Sequence, residues 1–279
     1  MISYSHPDSL IETQWLAAHL NDSSVRIIEV DMSPDACENA HIPGAVFWSI
    51  PSDLMTPDMS MNLDSGAIAV LLSQSGISPE NTIVPYGSNL ATSASIFWLL
   101  KRFGHDKVCV LNGGHQKWMA EGRPVTSMLS SFDPFQYTAP APSASERNYR
   151  ILTAEVQDLL NQSGTVILDV RTLAEYRGEI FMEKPPEGNE RAGHIPSAVH
   201  LEHTIALNKD GTFKSAEELH SLYAQRGVTK DKRVIPYCAV GARSGFIWYV
   251  LKYLLGYPNT QNYDGSWNEW SRLSDVSIE

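Results

Sequence analysis

Cysteine is scarce in this chain: Cys37, Cys109 and Cys238 are the only three in 279 residues. So few and so scattered, they exclude a disulfide framework and a thiolate-rich zinc centre. No apolar run approaches the roughly 18 residues of a membrane span. The opening stretch MISYSHPDSLIETQWLAAHL lacks a basic segment followed by an apolar core, so no secretory signal is expected. A reducing, cytoplasmic setting suits the thiols. Positive charge is also in deficit. With 21 Lys and Arg against 32 Asp and Glu, the net charge is −11, which argues against nucleic-acid or anionic-membrane partners. A small anionic ligand stays open, because a local cluster of donors overrides the global sign. At 43% hydrophobic and 19% charged residues the composition is that of a globular protein, which excludes long disorder.

What is present is a repeat. TIVPYGSNLATSASIFWLLKRFG at 82–104 lies on RVIPYCAVGARSGFIWYVLKYLLG at 233–256, with Pro85 and Tyr86 falling on Pro236 and Tyr237. Upstream, AHIPGAV at 40–46 matches GHIPSAV at 193–199, and IIEVD at 27–31 matches ILDVR at 167–171. Downstream, NGGHQKW at 112–118 matches DGSWNEW at 264–270. Blocks in one order with drifting offsets mean duplication of a domain-sized unit, far too long a period for a solenoid. TAPAPSASERNY at 138–149 reads as a linker. The expected organisation is a first domain over 1–130, a linker over 131–149 and a second domain over 150–279.

Each unit alternates β-branched runs with helical patterns. In the second, TVILDV and RVIPYC are strands, SAEELHSLYAQRG is a helix with a Ser start and Gly stop, SGFIWYVLKYLLG is a helix, and TQNYDG is a short strand. This predicts an α/β fold with a mostly parallel sheet flanked by helices in each domain. Ligands bind such sheets at the carboxyl ends of strands, where loops enter helices.

Cys238 stands at such an end. Converging backbone N–H groups and the helix dipole favour a thiolate there. Gly241 lets the loop curl at positive φ. Arg243 adds a permanent cation suited to an oxyanion, and Ser244 is placed to cap the helix. The first repeat is an internal control: Gly87, Leu90 and Thr92 replace Cys238, Gly241 and Arg243 while the flanking apolar positions persist. Packing alone therefore does not demand the cysteine. The first domain reads as inactive, a structural and interface partner. Cys109, in the apolar KVCVLNGG, reads as a buried inert thiol, and Cys37 as a loop residue without chemistry.

The tandem HIPGAV/HIPSAV, LDVR, the cysteine loop and DGSWNEW resemble a two-domain rhodanese-type sulfurtransferase of the thiosulfate and 3-mercaptopyruvate family, over nearly the whole chain. The resemblance implies two tandem rhodanese-like domains, with the C-terminal one catalytic. It also implies a ping-pong reaction through a persulfide on Cys238, with no cofactor and no metal. The loop N–H groups of Ala239, Val240, Gly241, Ala242 and Ser244 would hold the persulfide's charge. Asp169 and Arg171 match the family's Asp-x-Arg; ion pairing that shapes the pocket is expected of them, with direct substrate contact by Arg171 the second reading. Where the family places a substrate-binding arginine, this chain has Glu175, so Arg177 or Arg243 is expected to take the anion. His194 is expected to be a structural hydrogen-bonding residue, His200 and His203 to be solvated, and Asp264 and Trp267 to serve turn and packing.

CAVGARS resembles bacterial loops assigned to thiosulfate, which favours thiosulfate over 3-mercaptopyruvate as donor. Cyanide, a small thiol or a thioredoxin-like protein would be the acceptor, and the chain is expected to be a monomer. Two alternatives stay open. One is a module relaying sulfur between proteins. The other is a cysteine-dependent phosphatase or arsenate reductase, whose loop is one residue longer than Ala239 to Ala242.

Overall fold

A computed structural model describes residues 2–34, 40–138, 149–188 and 190–279. Cys37 and most of the expected linker lie outside the described residues. In the first half, β2 (Val25–Asp31) is paired in parallel with β3 (Ala45–Ser49) on one side and β4 (Thr82–Tyr86) on the other. A parallel pair of β1 (Leu10–Ile11) and β5 (Val110–Leu111) extends this layer through a bridge between Ile83 and Val108. In the second half, β6 (Thr165–Asp169) lies between β7 (Val199–His200) and β8 (Arg233–Tyr237), again parallel. The registers coincide: Ile28 opposes Pro85 and Glu29 opposes Tyr86, just as Leu168 opposes Pro236 and Asp169 opposes Tyr237.

TQNYDG does not form the expected strand; it makes single bridges at Thr260 and Asn262. Gln261 and Tyr263 donate to the carbonyls of Val234 and Pro236, but Pro236 has no N–H to return, so the ladder is broken there.

The amphipathic segments pack as helices: α1 (Thr13–Ala18), α2 (Ser65–Gln74), α3 (Leu90–Phe103) and α4 (Gly114–Ala120) in the first half, then α5 (Thr153–Leu159), α6 (Leu173–Tyr176), α7 (Ala216–Ala224), α8 (Ala242–Tyr249) and α9 (Ser266–Trp270). A π-helical turn over Val250–Leu254 prolongs α8. As read from sequence, Ser215 caps α7, accepting from Glu218 N–H while the Glu218 carboxylate reaches back. Ser244 is not a cap. The helix begins earlier, at Ala242, with Gly241 as its N-cap at φ +96°, and the Ser244 hydroxyl donates back to the Gly241 carbonyl at 3.0 Å.

The two halves join through α3 and α8. Phe97 meets Tyr249 and Tyr253 with ring centroids 4.7 and 4.6 Å apart, and Gly245 lets α8 approach Ser95 closely. One buried apolar cluster runs from Ile28, Trp48 and Phe97 into Leu168, Phe246 and Trp248. Separate clusters around Trp118 and around Trp270 fill the other face of each sheet.

The duplication extends to a pair of hairpins. Met55 and Met61 bridge antiparallel, and so do Leu207 and Phe213. Thr56 N–H bonds Ser60 O as Asn208 N–H bonds Thr212 O, and Asn62 N–H bonds Leu54 O as Lys214 N–H bonds Ala206 O. Asp58 and Asp210 each accept from hydroxyls of their own turn. The tip residue is left-handed in both, Met59 at φ +63° and Gly211 at φ +81°.

Candidate active site

Pro236 and Tyr237 end β8 and hand the chain to the loop Cys238–Gly241. Cys238 is a free thiol, 1% exposed. Its sulfur accepts the Gly241 N–H at 3.2 Å, and its own N–H donates to Ser266 Oγ at 3.0 Å. Ser266 Oγ lies 3.9 Å from the sulfur and donates to Tyr263 O at 2.8 Å. The loop is pinned from α9: Trp267 N–H donates to Cys238 O and Asn268 N–H to Ala239 O, both at 2.9 Å. Gly241 is required at φ +96°: a Cβ there would come within 2.7 Å of the Asp264 carbonyl oxygen and 2.9 Å of Met61 Sδ. Ala239 is buried, Val240 half-buried and Ala242 half-buried at the start of α8.

Arg243 reaches Glu175 with both terminal nitrogens, at 2.8 and 2.7 Å. Burial alone would lower the guanidinium, but Glu175 and the nearby Cys238 sulfur hold it above its ordinary value. Burial alone would raise the Glu175 carboxyl; the Arg243 bonds and charge, with Thr172, outweigh it and keep the group below the usual range. The cation of the loop is thus present beside the sulfur but already engaged by a carboxylate.

Asp169 and Arg171 form a buried pair: Arg171 Nη2 lies 2.6 Å from Asp169 Oδ2 and also donates to Gly193 O at 2.8 Å. The Tyr237 hydroxyl donates to the same carboxylate at 2.5 Å. The guanidinium lies 4.5 Å from the centre of the Trp267 ring. These contacts tie β6, β8 and α9 together behind the loop. Arg177 is not brought to the loop pair; it is exposed and lies 3.8 Å from Glu179. His194 bonds Tyr176 O through Nδ1 at 3.0 Å and stacks on that ring.

His200 and His203 are not solvated as expected. His200 Nε2 bonds Arg171 O at 2.9 Å, and His203 Nδ1 faces Val170 O at 3.3 Å. Burial, and then the Arg243 charge, hold the His203 imidazole below its ordinary value. Cys109 is half-buried; burial pushes its thiol up to about 11, and it donates to Asp8 O at 3.3 Å.

Sequence reasoning missed Glu175 as the partner of Arg243, and with it Ser266, Asn268 and Met61. Ser266 had a signal: in the matched block the first repeat carries Gly114 at its place. The mirror loop of the first domain has no thiol, and a Cβ at Gly87 would sit 2.2 Å from Val30 O. A cavity of 220 Å³ lies against that loop, lined on the other side by His203, Thr204, Leu207 and Gly211.

The rhodanese-like domain model matches residues 12–121 and again 152–273. A Thermus thermophilus protein named "Sulfur carrier protein TtuD" is 43% identical over 99% of this chain and 98% of its own length. Proteins named "Putative thiosulfate sulfurtransferase" from Haloferax volcanii and Mycobacterium tuberculosis are 37% and 38% identical, over 98% of this chain in each case and 96% and 98% of theirs. Among solved structures, the anaerobic ergothioneine biosynthesis enzyme from Chlorobium limicola matches in fold at a TM-score of 0.88 and 23% identity, covering 100% of this chain and 72% of that one. The chain belongs to the rhodanese-like family, as a tandem two-domain sulfurtransferase.

Proposed function

We propose that Cys238 is the sulfur-accepting nucleophile and that thiosulfate is its donor. The thiolate attacks the sulfane sulfur; a sulfur–sulfur bond forms to Cys238, and sulfite leaves with the electron pair of the bond that breaks. Cyanide or a thiol then attacks the terminal sulfur, and the pair returns to Cys238 as thiolate. The observation that carries this reading is the Gly241 N–H donated to Cys238 Sγ at 3.2 Å, at the start of a helix whose second residue is Arg243. An N–H aimed at the sulfur stabilises negative charge there and on a sulfur added to it. The four-residue spacing Ala239 to Ala242 encloses one sulfur better than a tetrahedral oxyanion, which disfavours phosphatase chemistry.

A second reading is a sulfur-relay protein, in which Cys238 takes sulfur from another protein and passes it on. It is favoured by the name of the Thermus relative. 3-Mercaptopyruvate remains the alternative small donor.

Intact mass of the wild type and of Cys238→Ser, after thiosulfate and separately after 3-mercaptopyruvate, tests all three. One added sulfur atom in the wild type only, removed by cyanide, is expected, with thiosulfate loading faster. Faster loading by 3-mercaptopyruvate would reassign the donor. No sulfur from either, with uptake from a protein persulfide, would establish the relay.

A further inference from the structure

We propose that the Met55–Met61 hairpin of the first domain is a gate over Cys238, latched by Asn268. This rests on reading Cys238 as the reacting thiol and goes further by naming what controls access to it. The Asn268 side chain donates through Nδ2 to Asp58 O at 3.1 Å and Met59 O at 3.4 Å, the two carbonyls at the tip of the hairpin. Arg272 adds a bond to Asp58 O at 3.2 Å. The backbone N–H of Asn268 holds Ala239 O, next to Cys238. One residue thus ties the tip of the hairpin in the first domain to the reactive loop in the second. Beside it, Met61 lays its thioether against Gly241, so a carbon added to that glycine would meet sulfur at 2.9 Å. Asn268 makes this latch while its own Oδ1 stays buried without a partner among the described residues. A purely packing role would be served better by an apolar side chain.

The duplication supplies the control. Gln116 occupies the place of Asn268 in the matched block, and its Nε2 donates to Lys209 O, at the tip of the other hairpin, at 3.5 Å. That second latch closes over the loop at Gly87, which carries no thiol. Both hairpins hold their shape by internal bonds, so releasing a latch frees a preformed unit rather than melting one. Met61 is a flexible, polarisable wall. It admits small sulfur donors and acceptors and excludes bulky ones until the latch opens.

The test uses the full-length chain and measures alkylation at Cys238, by peptide mass spectrometry, with iodoacetamide and with the bulky N-(1-pyrenyl)maleimide. Asn268→Ala removes the two side-chain bonds of the latch and is expected to raise the bulky-reagent rate about five- to tenfold, with iodoacetamide changed less than about twofold. Met61→Ala, which leaves the latch intact, is expected to shift the same ratio and decides the matter if Asn268→Ala proves unstable. Gln116→Ala is expected to change neither rate. An unchanged ratio in both Asn268→Ala and Met61→Ala, an equal rise with both reagents, or an equal response to Gln116→Ala would overturn the gate. Alkylation needs only a thiol, so a failure to take up sulfur, which would sink the proposed function, leaves this measurement independent.

Discussion

Arg243 and Glu175 face each other in a two-pronged ion pair, at 2.8 and 2.7 Å, with the carboxylate almost wholly buried. The pair joins the first turn of α8 to α6, so the cation that follows the Cys238 loop is positioned by a residue on another element.

Glu175→Gln should cost about 3 kcal/mol of stability at neutral pH, because it strips a largely buried guanidinium of its counter-charge. The acid dependence follows from the lowered Glu175 carboxyl. Its contribution is complete above the ordinary glutamate value of 4.5 and is lost as pH falls through the lower folded value. Urea unfolding at a series of pH values should show the gap between wild type and variant closing as pH falls from 4.5 toward that lower value.

Gly87→Cys should not create a second reactive thiol. The added Cβ would stand 2.2 Å from Val30 O, and relieving that overlap should cost about 1–3 kcal/mol. Denaturant titration would show the loss. Counting sulfur atoms gained by Gly87→Cys after thiosulfate treatment should give the wild-type number.

Met59→Gly should stabilise the protein. Met59 holds φ +63° at a hairpin tip where the mirror hairpin has Gly211, and its side chain is 49% exposed, so little packing is lost. Relief of left-handed strain, less the added freedom of the unfolded chain, gives a gain of up to about 1 kcal/mol. The expected rise in melting temperature is about 2–4 °C.

The strands, and the loop at Cys238 that links β8 to α8, were legible because they follow local rules. β-Branched runs mark β6 and β8, and the matched Pro-Tyr pairs fix the same register in both halves. Arg243 could be seen as a cation near Cys238, yet its partner Glu175 is 68 residues away and no local pattern links them. Ser244 looked like a cap because hydroxyls often are. The helix is capped three residues earlier because Gly241 turns the chain without any side-chain bond. The hairpins escaped notice for another reason: backbone bonds define them, and backbone bonds leave Met55–Met61 and Leu207–Phe213 with little in common but Asp58 and Asp210. No motif marks His203; what covers its ring is Phe246 of α8, met edge-on from a distant part of the chain.

The pairing of α3 with α8, and of each hairpin with the opposite loop, is the pattern of a two-fold symmetric dimer written into one polypeptide. In a true dimer, each substitution appears on both sides of the axis, and a change that suits one side must also be tolerated on the other. Joined in tandem, the halves escape that constraint. One loop lies tight against Val30 and carries Gly87 while the other carries Cys238, an asymmetry no symmetric pair can hold.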